Sequence, residues 1–367
     1  MSANIAAAGA IGTSKWDLDT PVLCLDATAL ERNIRRMGDY FANCTAKLRP
    51  HTKTHKSPII AWMQLRAGAI GVTCAKVGEA EVMAAAGIRD ILIANQVMGA
   101  LKIARLVGLA AYSDVITAVE CAEHARELSE AAQARGVALR TIIEVDVGMG
   151  RCGVAPGGPA LDLARQIEAL PGLRFEGMMG YEGHAVMVTD VNERRRVAEE
   201  AMARLVETRH LIESHDIPVN IVSAGGTGTY DITGNYPGIT EIEAGSYATM
   251  DTRYRQVGLD FEWALTIVAR VISVHGDRAI IDAGLKTMTP EFGLPLVIRP
   301  EGWAMTGLSE EHGALERRGG GPLRRGDLVE IVPSHGCTTI NLHDAYHVTR
   351  NDVLEAVWPI EGRGRVR

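Results

Sequence analysis

The sequence predicts an α/β fold in which a (β/α)8 TIM-type barrel over residues 22–260 precedes an all-β domain over 261–367, joined by residues 1–21. Two observations point there. Between Pro21 and Phe261, eight short β-rich runs alternate with alanine-rich stretches of helical periodicity, the pattern of strands buried on both faces and joined by helices. Beyond Phe261 the chain turns to β-branched runs punctuated by glycine, with little helical period. An open doubly wound sheet, the alternative, has fewer repeats and a switch-point motif that this chain lacks.

The elements follow in order. A short β run at 21–26 leads into a helix over 28–43, with Leu30, Ile34, Met37 and Phe41 at helical spacing. The barrel strands are expected at 48–53, 69–74, 90–95, 115–119, 141–147, 175–181, 219–223 and 240–244. Helices are expected at 76–86, 100–109, 121–135, 159–170 and 192–215. The charged run around 193–200 is a solvated helix face. In the second domain, 302–326 reads as a long loop with a glycine-rich tip, RRGGGPLRRG.

Composition narrows the function. Apolar content is 47% and charged content 23%, ordinary for a globular protein, and the net charge is −7. That balance argues against a nucleic-acid footprint. Six cysteines without a CxxC pair do not make a disulfide scaffold and fit a reducing compartment. No apolar run approaches a membrane span, and the alanine-rich start lacks the basic region of a signal peptide, so a cytoplasmic location is expected.

Chemistry gathers at the C-terminal ends of barrel strands. LRPHTKTHKSP (48–58) puts His51, Lys53 and His55 on one face if the segment is extended, and burial beside imidazoles would make the Lys53 amine a better nucleophile for a carbonyl. The competing reading is a basic surface loop for phosphate or nucleic acid. Arg151, Tyr181 and His184 fall at later strand ends. The glycine-hydroxyl turn Gly225, Gly226, Thr227, Gly228 can form an anion nest, and Gly245, Ser246 and Tyr247 supply its other side. A phosphate site with an activated lysine points to pyridoxal phosphate held on Lys53. Arg151 is then a cation near the ring hydroxyl, and Glu243 a carboxylate for the pyridine nitrogen. In the second domain His335 and Cys337, two apart in an extended segment, can seat a divalent ion while leaving open positions; a buried cysteine beside a loop histidine is the plainer alternative.

The order DTPVLCLD (19–26), RPHTKTHK (49–56), EVDVGMGRCGV (144–154), GGTGT (225–229) and EAGSYATMD (243–251) resembles the D-threonine aldolase and D-serine dehydratase family, whose barrel is that of alanine racemase. The resemblance runs from Asp19 to the C-terminus. It implies Lys53, not Lys56, as the cofactor lysine; His51, from the pattern of the motif itself, stands among the candidate catalytic residues. It also implies Arg151 at the cofactor's phenolic oxygen, Tyr181 beside the cofactor, and the two glycine loops on its phosphate. It further implies a metal at His335 and Cys337, zinc or manganese with magnesium a third option, and a homodimer acting on small D-amino acids. His312, in an EHG element, and His184 are candidate acid/base or substrate ligands; a solvated loop histidine is the alternative for each. Many relatives carry Gln where this chain has Glu243. Aldolases of the family generally have Asp where Cys337 stands and dehydratases have Cys, whereas NLHD (341–344) and the barrel motifs resemble an aldolase. The resemblance therefore implies a lyase that splits D-3-hydroxy amino acids to glycine and an aldehyde, or alternatively a dehydratase giving a 2-oxo acid and ammonia. Racemisation and a non-catalytic pyridoxal-phosphate-binding protein are the more remote readings.

Overall fold

Runs apolar on both faces become the eight parallel strands of one sheet. Ile91, Leu92 and Ile93 are successive residues, and none exposes any surface. In the computed structural model, which describes residues 10–367, the strand order is Lys47–Leu48, Glu241–Ile242, Ile221–Ala224, Leu173–Gly180, Leu139–Glu144, Asp114–Val119, Asp90–Gln96, Val72–Cys74. The two ends of that order join. The Thr52 N–H donates to the Thr73 carbonyl at 2.8 Å and the Thr73 N–H to the Pro50 carbonyl at 2.9 Å, a parallel bridge that closes the barrel. Inward-facing Leu92, Ile116, Ala118, Ile142, Met179 and Ile221 fill it.

The joining helices follow their sequence signals. Ala122–Arg135 stops at Gly136, whose φ of +71° gives the left-handed cap that a side chain would oppose. Val191–Glu213 begins where Asp190 accepts a hydrogen bond from the Glu193 N–H at 2.8 Å. Its inner face buries Ala198, Ala201, Met202 and Leu205, and its outer face carries the Arg195–Glu199 and Arg196–Glu193 pairs, the solvated face expected of that run. Pro58–Arg66 is a helix that the periodicity did not signal.

The chain divides into two compact units. The barrel unit comprises Arg36–Lys53, Ile60–Gly245 and Arg365–Arg367. The second unit takes the chain up to Arg35, Thr54–Ile59 and Ser246–Gly364. Residues 1–9 of the expected N-terminal contribution lie outside the described residues.

The second unit is built on a nine-stranded sheet. Its path runs Trp303–Leu308, Gly313–Arg317, Arg278–Ile281, Leu265–His275, Val22–Asp26, Ala345–Arg350, Val353–Pro359. Leu328–Val332 pairs with both Leu265–His275 and Leu296–Arg299. Val22–Asp26 is antiparallel to Leu265–His275, with Cys24 opposite Thr266, and parallel to Ala345–Arg350. The stretch 302–326, expected as a loop, instead holds a hairpin, because Trp303, Met305 and Leu315 alternate inward; Gly307 and Gly313 lie within its strands, and the cluster Gly319–Gly321 lies beyond them. A buried Lys15–Glu330 pair at 2.7 Å is satisfied further by the Thr266 hydroxyl and by Asp352.

All six cysteines are free. Among the described residues no helix is long and apolar enough to cross a membrane.

Candidate active site

The lysine-histidine motif is a turn and not an extended strand. The first barrel strand ends at Leu48, and residues 52–55 turn. The alternation that placed His51, Lys53 and His55 on one face therefore does not hold. Each histidine instead caps backbone two residues ahead. His51 Nδ1 accepts from the Lys53 N–H at 3.4 Å, and His55 Nδ1 from the Ser57 N–H at 3.1 Å. Both rings are buried, and an accepting Nδ1 is an unprotonated one.

In the barrel unit the Lys53 amine lies 5.9 Å from the centre of the Tyr181 ring, and the Arg151 guanidinium lies 5.6 Å from the same centre. One aromatic ring thus lies within cation–π range of two cations from distant loops. Arg151 rides on the loop after Leu139–Glu144, where Asp146 accepts from the Gly148 and Gly150 amides at 3.0 Å each. Those bonds hold the Asp146 carboxyl below the usual carboxylate range. Arg151 is half-exposed and 3.7 Å from Glu144, whose other oxygen accepts from Gln96. Burial pushes the Glu144 carboxyl up, against the Gln96 hydrogen bond and the Arg151 charge. His184 is exposed, and Cys152 is exposed beside Arg151.

Glu243 follows the strand Glu241–Ile242 and accepts from the Ser223 hydroxyl at 2.8 Å. Burial, helped by the charge of Glu241, pushes its carboxyl up to about 7, against the Ser223 bond and the charges of Lys53 and Arg49. Glu241 itself is matched by Arg49, whose Nε lies 3.0 Å from both its oxygens and whose Nη1 lies 2.6 Å from Asp90. The turn 225–229 packs closely: a Cβ on Gly228 would fall 2.1 Å from the Val186 carbonyl, and one on Gly226 would press 3.3 Å from the Tyr181 ring. Gly245 closes the barrel unit's share of the predicted residues.

In the second unit His335 leads the short helix Gly336–Ile340. Its Nδ1 is 3.0 Å from an Asp251 oxygen that also accepts from the Gly336 N–H at 3.1 Å. The other Asp251 oxygen accepts from the Tyr254 N–H. A carboxylate on Nδ1 leaves Nε2 as the ligating atom, the arrangement found behind metal-bound histidines. Cys337 is within hydrogen-bonding reach of that ring. Burial lowers the His335 pKa, and the Cys337 charge with the Asp251 bond outweighs it, giving about 11. Cys337 Sγ lies within hydrogen-bonding distance of Thr54 Oγ1, at 3.2 Å, and 3.7 Å from Ser246 Oγ. Among the described residues there is no group of three or more His, Cys, Asp or Glu that could hold a metal ion. Tyr247 is fully buried against Phe261, with ring centres 5.7 Å apart. His312 is exposed in the turn joining Trp303–Leu308 to Gly313–Arg317.

Two supporting carboxylates went unassigned in the sequence. Asp251 closes the EAGSYATMD motif immediately before the short helix Thr252–Gln256, and its spacing alone does not distinguish a helix cap from a partner for histidine. Glu182 stands between Tyr181 and His184 and is fully buried, which one sequence does not reveal.

The model of the alanine racemase N-terminal domain matches residues 25–253, and that of a serine dehydratase domain matches residues 264–349. A D-threonine aldolase of Arthrobacter sp. is 38% identical over 353 residues, 95% of this chain and 93% of that protein. The chain belongs to the D-threonine aldolase and D-serine dehydratase family. Within it, a 3-hydroxy-D-aspartate aldolase of Paracoccus denitrificans is 36% identical over 96% of this chain and 94% of its own. The crystal structure of D-threonine aldolase from Filomicrobium marinum matches with a TM-score of 0.95 at 36% identity, covering 98% of this chain and 100% of that one.

Proposed function

We propose that the protein is a pyridoxal-phosphate- and divalent-metal-dependent aldolase that cleaves D-3-hydroxy amino acids, D-threonine among them, to glycine and an aldehyde. One observation carries it: Lys53 and Arg151, from strand ends nearly a hundred residues apart, meet over the Tyr181 ring. The likeness to two aldolases across almost the whole chain supports cleavage of the bond between Cα and Cβ.

The residues fit the cofactor. Lys53 would hold its aldehyde carbon, and the turn at Gly225, Gly226, Thr227 and Gly228, with Gly245, its phosphate. Arg151 would meet its phenolic oxygen and Glu243 its ring nitrogen. When bound, pyridoxal phosphate supplies an electron sink for negative charge at Cα. Glu243, with a carboxyl near 7, holds or yields a proton at its Oε atoms at neutral pH. Tyr181 shields the amine of Lys53 on one side, and Glu144 orients the Arg151 fork.

The metal pair fits as well. His335 Nε2 and Cys337 Sγ would hold the ion, Asp251 keeps the imidazole oriented, and a thiolate ligand favours zinc over manganese or magnesium. A divalent ion there supplies a Lewis acid for the substrate's β-hydroxyl. His51, His184 and His312 are the candidate proton carriers; His184 and His312 are exposed, whereas His51 already uses Nδ1 within its turn.

Cys337 and the match to a serine dehydratase domain favour a second reading, elimination to a 2-oxo acid and ammonia. Both readings take the protein as a cytoplasmic homodimer acting on small molecules, without nucleic-acid or membrane partners; the six free cysteines and acidic balance support them. Lys53→Ala tests the cofactor assignment: the variant should lose the visible absorbance of the lysine-linked cofactor together with activity. A variant retaining that absorbance would sink it.

A further inference from the structure

Glu182 is the fully buried carboxyl that the proposed reaction leaves without a task. It stands one residue after Tyr181, at the end of the strand Leu173–Gly180. Its Oε1 accepts from the hydroxyls of Thr229 and Thr233 at 2.6 Å each, and its Oε2 accepts from the Gly225 N–H at 3.1 Å. All three donors are neutral, and all three belong to the glycine turn or to the helical turn that follows it. One side chain from a neighbouring strand therefore pins both ends of the segment 225–229.

That placement has consequences for anion binding. The Gly225 N–H is committed to Glu182 and the Gly226 N–H to the Thr229 hydroxyl, so a phosphate grip falls to the amides after them. Those amides stay where they are because Gly225 and Thr229 cannot part. Packing then fills the two sides from which the turn could relax, the Val186 carbonyl at Gly228 and the Tyr181 ring at Gly226. Gly226 also donates to Thr229 Oγ1 at 3.4 Å, so the hydroxyl that Glu182 holds closes the turn from within. A buried acceptor with three donors is costly to disturb, because each donor left behind loses its partner away from water.

We propose that Glu182 is a positioning residue that holds the turn 225–229 in the shape of a phosphate cradle. This rests on reading that turn as the cofactor's phosphate grip. Glu182 touches neither cofactor nor substrate, and acts through the backbone of Gly225 and the hydroxyls of Thr229 and Thr233. The signature of such a role is selectivity for the phosphate over the rest of the ligand.

The test uses the whole chain of residues 1–367 freed of cofactor. Pyridoxal phosphate and pyridoxal, which shares the ring and aldehyde but lacks the phosphate, are titrated separately and followed by absorbance. Glu182→Gln keeps one acceptor oxygen but turns an NH2 group on the Gly225 N–H. It should weaken pyridoxal phosphate roughly 10- to 100-fold, the loss expected of one or two buried hydrogen bonds, and leave pyridoxal within about 2-fold. Thr233→Val, which removes one donor and leaves Glu182 in place, should weaken pyridoxal phosphate by roughly 3- to 10-fold. It keeps the test open if Glu182→Gln does not fold. Equal losses for both ligands would mean general damage to the barrel and would overturn the proposal, as would unchanged or tighter phosphate binding. A parent chain that binds neither ligand would overturn the cofactor reading, and the role of Glu182 with it.

Discussion

Glu243→Gln should stabilise the cofactor-free protein at alkaline pH and leave it nearly unchanged at acid pH. The carboxyl sits at a barrel strand end with the Ser223 hydroxyl on one oxygen, and burial raises it from 4.5 to about 7. In the unfolded chain it titrates near the ordinary value. A folded value above the unfolded one means that its contribution to stability is fully present below about pH 4.5 and is lost as the pH rises through about 7. At about 1.4 kcal/mol per unit, that gap corresponds to about 3 kcal/mol once ionisation is complete. Glutamine keeps an acceptor for Ser223 and carries no charge to bury. Urea unfolding of parent and variant, run at about pH 5 and about pH 8.5, should show the advantage of the variant growing by about 2–3 kcal/mol. Parallel behaviour at the two pH values would refute the argument, because desolvation of an ionised Glu243, helped by the charge of Glu241, is the source of the shift.

Two further substitutions test the supports around the site. Asp251→Ala leaves His335 without its orienting carboxylate and should weaken zinc binding by about 10- to 100-fold, read by competition with a chromophoric chelator; unchanged affinity would mean that Asp251 only caps its helix. Arg49→Met strands the buried Glu241 carboxylate and should cost about 3–5 kcal/mol in denaturant unfolding, with most of the loss recovered when Glu241→Leu is added. A loss of under about 1 kcal/mol for the single variant would show that water reaches Glu241.

Periodicity located the barrel because its strands are apolar on both faces and its helices carry a clear inner stripe; 114–119 and 90–96 fall within a residue or so of their expected limits. It missed Pro58–Arg66, where Trp62 and Met63 interrupt a one-sided pattern. It also took 302–326 for a loop, since glycine content there outweighed the alternation of Trp303, Met305 and Leu315. The histidine motif failed for a different reason. A period-two argument assumes extended backbone, whereas His51 and His55 each accept from an amide two residues on and so bend the chain. Arg151 and Tyr181 were legible because residues at strand ends converge whatever lies between them. Glu182 and Asp251 were not, because a supporting role depends on which donors reach a carboxylate, and that is a property of the folded neighbourhood.

The aldolase reading is tested most directly by product analysis of purified enzyme supplied with pyridoxal phosphate and zinc or manganese. D-threonine, D-serine and D-3-hydroxyaspartate would be tested in parallel. Glycine with the matching aldehyde is expected, and should be lost when a chelator removes the metal. A 2-oxo acid with ammonia would contradict it and make Cys337 the residue that marks a dehydratase.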